Sequence, residues 1–312
     1  MKAIQFFAIT ALGAALFASC SNQEEPATGS YPSDNLIRVT AGVNNDMTRS
    51  DEAVTPTSLT QNFSLTVVNN TNDKFSYANE IFSPKGTEWS CGKNLLWQNL
   101  STPVEIVALY PATDANKFTG VYSKENKSYG TITYGVNPDQ STADEADDLL
   151  LYHNANFVPK DDLNEEKLDI QFNHAFCRVD IEVIIGTEFN ANNSLAENPI
   201  QGIRVEGTKI AADINLASAP STITAKGDAT SIIPTQGDFT PAASAADQAV
   251  ARYSCMVIPQ TADLNIVLHT SDREYEWTGS QMKLESGKQY TLKLNMTKKS
   301  TTARKFILRK RK

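Results

Sequence analysis

The densest group of side chains able to do chemistry is Asp144-Glu145-Ala146-Asp147-Asp148, whose carboxylates suit acid–base work or calcium. Calcium loops space their oxygen ligands and turn on a glycine, and this run does neither. Acidic residues also complement the first turn of a helix, with Ser141 or Thr142 as its cap, and that is the reading adopted. His153, His174 and His269 lie far apart, and neither a Cys-x-x-Cys nor a His-x-x-x-His spacing occurs, so no metal site is read. His174 stands on an apolar strand face without a Ser or Cys motif beside it, which favours a satisfied core histidine over a catalytic base. Trp89, Trp97 and Trp277 would form a sugar platform if clustered on an exposed loop; burial in a β-sandwich is the plainer reading. There is no Gly-x-Ser-x-Gly and no phosphate-cradling glycine loop. The chain reads as a non-enzyme without cofactor or metal.

A different chemistry is written at the start of the chain. Lys2, an apolar run and small residues read as a secretory signal over residues 1–19. Its end, Leu16-Phe17-Ala18-Ser19-Cys20, resembles a bacterial lipobox, which makes Cys20 a lipidated, palmitate-bearing N-terminus. A signal cut elsewhere would leave Cys20 incidental. The apolar run is short for a spanning helix, which needs about 20 apolar residues. Acyl chains on Cys20 would anchor instead, each buried methylene contributing roughly 0.8 kcal/mol. Ser21-Asn22-Gln23-Glu24-Glu25 resembles the acidic export tag of Bacteroidetes lipoproteins, which implies the outer membrane and the cell surface. Cys91, Cys177 and Cys255 remain, and whether any two pair is open. Buried, inert thiols are the default.

The chain has 312 residues, 40% of them hydrophobic, and a net charge of −8. It is long enough for two domains, and its charge argues against nucleic acid as a partner. The last stretch, Lys298 to Lys312, reverses the sign and contains no acidic residue.

These features need elements to position them, and period-2 alternation supplies strands. Ile37, Val39, Ala41 and Val43 alternate with polar neighbours, as do Phe63, Leu65 and Val67. Val104 to Tyr110 is almost continuously apolar, as in a strand buried on both faces. Leu168, Ile170, Phe172 and His174 hold even positions; Cys177, Val179, Ile181, Val183 and Ile185 then hold odd ones. A bulge or bend near Phe176 would return both sets to a common core face. Helical periodicity is weak throughout, Ser141–Leu151 being the clearest exception. The expected architecture is a mainly β protein of two tandem antiparallel β-sandwiches. A tether over 20–34 precedes an N-terminal sandwich over 35–160; the charged run from Pro159 to Lys167 marks the boundary. A C-terminal sandwich over 165–297 and a basic tail over 298–312 follow.

The ordered motifs resemble a family. The lipobox and acidic tether, then a strand and Met47-Thr48-Arg49-Ser50, resemble the start of Bacteroidetes fimbrillin-like lipoproteins of the type V pilin kind. Val104-Glu105-Ile106-Val107-Ala108-Leu109-Tyr110-Pro111, Asp139-Gln140-Ser141 leading to Asp147-Asp148-Leu149-Leu150, Leu168 through Val179, and Gly287 through Leu294 resemble further family blocks. The resemblance implies two transthyretin-like sandwiches and a fimbrial (pilus) subunit acting in cell adhesion. It implies cleavage after Arg49 by a trypsin-like protease and loss of the strand containing Leu36, Ile37, Val39, Ala41 and Val43. Another subunit's terminal strand would fill the groove so opened. Arg49 reads equally well as a surface residue in a polar turn. The tail offers only Phe306, Ile307 and Leu308 as an apolar strand among basic residues, so shaft, tip and anchor positions stay open. Other fimbrial subunits, the outer membrane through lipid, and host protein or glycan are the implied partners. The alternative is a non-polymerising, surface-anchored binding module for host or dietary glycan or protein.

Overall fold

Alternating apolar residues become strands along the whole described chain, as the pleat requires where one face is buried. The computed structural model describes residues 31–44, 59–86, 88–112, 121–142, 148–191, 194–299 and 301–310, the last range by its backbone. The fold is mainly β, with short helical turns such as α1 (Pro159–Asp162). The first strands are β1 (Arg38–Val43), β2 (Phe63–Val68), β3 (Tyr77–Lys85), β4 (Glu88–Cys91), β5 (Val104–Tyr110), β6 (Tyr122–Ser123) and β7 (Ser128–Tyr129). Next come β8 (Thr131–Gly135), β9 (Leu150–Phe157), β10 (Lys167–His174), β11 (Cys177–Ile185), β12 (Gly202–Glu206), β13 (Lys209–Asn215) and β14 (Thr222–Ala229). The series ends with β15 (Thr235–Thr240), β16 (Ala249–Val257), β17 (Gln260–His269), β18 (Glu274–Leu284), β19 (Lys288–Met296) and β20 (Thr301–Lys310).

The first sheet has the order β1-β10-β9-β5-β2-β3-β4 and closes where Val39 of β1 pairs with Trp89 of β4. Phe63, Phe82, Trp97, Phe157 and Phe172 fill its interior with Leu65, Ile106, Leu168 and Ile170. The other large sheet is β15-β16-β11-β19-β20, accompanied by β12-β17-β18 and β14-β13-β8. Their inward residues form a second core, with Val179, Ile181, Ile266 and Leu292 among its members. β5 is buried on both faces because each face looks into a different core. Ile106 and Ala108 belong to the first, Val107 and Leu109 to the second.

The change of parity after His174 has a related cause. A bend at Ala175-Phe176 carries the chain out of the first sheet and into the other large one. The even residues of β10 and the odd residues of β11 therefore face separate cores, where a common one was expected. The charged run from Pro159 to Lys167 includes α1 and leads into β10, which pairs with β1 and β9 in the first sheet. β8 goes the other way: Ile132 and Tyr134 join the second core through pairing with β13. Chain composition marks solvated turns, and pairing partners, which it does not reveal, assign strands to sheets. Of the stretch 141–151 read as helical, residues 143–147 lie outside the described residues, and its end is strand rather than helix. Leu150 and Leu151 lie in β9, and Leu149 and Leu150 point into different cores, as successive strand residues do.

Candidate functional site

β1 is the element with the most unusual placement. Along one side it runs parallel to β10, in register from Arg38–Lys167 to Val43–Phe172. Its other side is held by the Val39–Trp89 pair and by the segment that follows β4. There Ile37 N–H donates to the Leu95 carbonyl at 2.9 Å, and Trp97 N–H donates to the Asn35 carbonyl at 2.9 Å. The strand is thus interior to its sheet although it stands nearly first in the described chain. Its fastening is polar at the margins. The Arg38 guanidinium donates to both carboxylate oxygens of Asp34 at 3.0 and 2.6 Å and holds that carboxyl below the usual range. Thr40 Oγ1 donates to Asp169 Oδ1 at 2.9 Å.

Its apolar side is core. Ile37, Val39 and Val43 are buried, Val39 to 2% exposure, and Ala41 packs against the same cluster half-buried; Leu36 bridges to Leu96. Burying three such side chains contributes about 5–9 kcal/mol before the entropy of ordering the strand is subtracted. Taking β1 away would leave the facing edges of β10 and of the β4 side without a partner, with an apolar slot between them, while β10 keeps β9 and β4 keeps β3. Phe172 lies at that slot, edge-on to Phe63 at 5.7 Å between ring centroids, while Trp89 meets Phe63 at 4.7 Å.

The basic tail forms β20, the outermost strand of the other large sheet, antiparallel to β19. Phe306 stands opposite Leu292, Ile307 opposite Thr291, and Leu308 opposite Tyr290. Leu292 and Tyr290 are buried, whereas Thr291 is not. The three apolar residues thus fall at positions opposite both faces of β19.

The remaining sequence candidates separate. Cys20 and Arg49 lie outside the described residues, as do Asp144, Glu145 and Asp147. Asp148 accepts from His174 Nδ1 at 2.7 Å, so that histidine is satisfied in the core. His153 is 3% exposed at its side chain, with Nδ1 at 2.8 Å from Ser221 Oγ and Nε2 at 2.8 Å from Glu105 Oε1. Both ring nitrogens are engaged, and the contacts tie β5 and β9 to the residue just before β14. No spacing in the sequence links those three residues. Trp97 is 2% exposed and stacks on Phe157 at 5.6 Å, and Trp89 is half-buried. Trp277 packs half-buried against the second core, so the three tryptophans form no loop platform. Among the described residues Cys91, Cys177 and Cys255 form no disulfide; burial pushes Cys255 up to about 12, which keeps it protonated and inert. Among the described residues, no group of three or more His, Cys, Asp or Glu is placed to hold a metal. No helix among them is long and apolar enough to cross a membrane.

The architecture is that of a mainly β protein of the sandwich type. The chain belongs to the fimbrillin-like family, whose profile matches residues 37–306. A putative cell adhesion protein from Bacteroides ovatus superposes with a TM-score of 0.61 at 15% identity, over 91% of this chain and 99% of that one. A putative cell adhesion protein from Bacteroides uniformis gives 0.58 at 14% identity, over 89% and 99%. The tip fimbrial protein Mfa3 of Porphyromonas gingivalis, with a C-terminal truncation, gives 0.51 at 8% identity, over 88% and 98%. At these identities the likeness is one of fold. No curated protein matches the sequence.

Proposed function

We propose that this protein is a fimbrial subunit or fimbria-associated surface lipoprotein acting in cell adhesion, structural rather than enzymatic. Membership of the fimbrillin-like family supports the fimbrial and adhesive role. In this reading the two cores are two tandem transthyretin-like sandwiches, the first sheet being closed by a single residue pair. Cys20 carries lipid that anchors the chain to the outer membrane, residues 20–34 form the tether, and the folded body faces outward. Cleavage after Arg49 frees the segment containing β1, and a strand from another fimbrial subunit takes its place.

One observation carries the exchange mechanism: β1 is buried as core yet sits near the start of the described chain, between two partners that would both become open edges. An open edge beside an apolar slot promotes strand addition, so a resident β1 keeps the subunit from assembling early. The tail weighs on direction. β20 lies in its own sheet, and its Arg and Lys residues suit an exposed edge better than a slot built for Ile37, Val39 and Val43. The chain in this account accepts a strand more readily than it donates one.

Limited digestion of the lipid-free mature protein with an Arg-specific protease tests this. The expected result is a first cut after Arg49, read by mass, followed by oligomers in size analysis when a donor subunit is added. Resistance at Arg49, or a cut product that stays monomeric with every donor, would favour an anchored adhesin without exchange.

A further inference from the structure

A furrow crosses the outer face of the second large sheet, and its shape follows from strand register. Asp180 on β11 stands between Ser254 on β16 and Thr291 on β19, which makes a row of short side chains. The row on one side is Met256, Arg178 and Gln289; on the other it is Arg252, Glu182 and Lys293. These flanking rows are about 13 Å apart, four residues at the strand rise. At one end, pairing of β15 to β16 slips between Gln236 and Phe239, and Gly237 there presents no side chain. The hollow holds about 490 Å³, within the range of small-molecule sites.

Its hydrogen-bonding groups are unevenly used. Asp180 already accepts from Arg178 Nε at 2.8 Å and from the Gln289 amide, and Glu182 pairs with Lys293 at 3.0 Å. Among the described residues, Arg178 therefore spends only Nε, and Arg252 only Nη1, on Thr240 Oγ1 at 2.9 Å. The hydroxyls of Ser254 and Thr291 make no hydrogen bond among the described residues. What remains on offer is guanidinium N–H on both sides of the furrow and hydroxyl groups on its floor. Asp238 at the slipped end adds an exposed acceptor. Anions along the lining balance its cations, which disfavours a bare polyanion; guanidinium forks match a single carboxylate.

We propose that this furrow binds an acidic saccharide, a sugar unit carrying one carboxylate among several hydroxyls. The carboxylate would meet Arg178 or Arg252, and the hydroxyls would exchange hydrogen bonds with Ser254, Thr291 and Asp238. Tyr253 is the one aromatic residue of the lining, and its ring is buried in the core, so no sugar face is stacked. The single site is therefore weak and gains strength through display of many copies. The proposal supplies a ligand class for adhesion and is independent of cleavage or strand exchange.

Saturation-transfer NMR on the intact, uncut mature chain tests it, with glucuronate as probe and glucose as its uncharged counterpart. We expect glucuronate to receive saturation and to bind at least about tenfold more tightly than glucose, as a charge-assisted fork requires. At least one of Arg178→Gln and Arg252→Gln, the one whose guanidinium meets the carboxylate, should weaken glucuronate by a similar factor, and Ser254→Arg should fill the furrow and abolish binding. The arginines are partly or fully exposed, so those two variants keep the test sound even where Ser254→Arg fails to fold. Absence of transfer to glucuronate, equal binding of both sugars, or binding unchanged in both arginine variants would overturn the proposal. Because β1 stays in place throughout, failure here and failure of strand exchange are separately visible.

Discussion

At the scale of single residues, Phe172 joins the resident strand to the rest of its core. It is fully buried on β10, opposite Val43 in register, with Phe63 and Tyr110 rings at 5.7 and 6.1 Å. Phe172→Ala should lower the free energy of unfolding by about 3–5 kcal/mol, the usual cost of deleting a buried ring. Urea denaturation of the purified chain measures this, and a loss below about 1 kcal/mol would show the site to be plastic, at the level of a tolerated core swap. His153 makes a different point about residues. Its partners Ser221 and Glu105 lie 68 and 48 positions away, and only the folded pairing of sheets unites them.

At the scale of elements, the two ends of the chain contrast. β1 is interior and apolar on one face; β20 is an edge strand, rich in Arg and Lys by sequence. Charged edges resist sheet-to-sheet association, so β20 shields β19. Ending the chain at Lys299 should expose β19 and drive concentration-dependent dimers, visible by light scattering, and should lower Tm. A monomer with unchanged Tm would show that β20 contributes neither cover nor stability. Individual strands are largely readable from sequence: alternation marks β1, β10, β11 and β19 because each has a buried face. Their partners are not. Parallel pairing of β1 with β10 joins Thr40 to Asp169, 129 residues apart, and no local pattern encodes that. The same limit hides the furrow, whose three rows exist only once β16, β11 and β19 lie side by side.

At the scale of the whole molecule, two cores share β5 and are linked by the bend at Ala175-Phe176. This arrangement separates tasks. The first core holds the strand proposed to leave, while the second carries the furrow on its larger sheet. Loss of β1 would open the first sheet and leave the second core's pairings intact, since β1 pairs only with β10 and β4 among the described strands. The family resemblance made β1 legible as a candidate; its burial gives that candidate a physical reason. The most direct test of the central claim is uptake of a labelled peptide spanning Leu36–Val43 by the mature chain before and after Arg-specific cleavage, followed by fluorescence anisotropy. The account predicts no uptake by the intact chain and stoichiometric uptake after cleavage, with the resident fragment released. A cleaved chain that keeps its own fragment and takes up no peptide would contradict it.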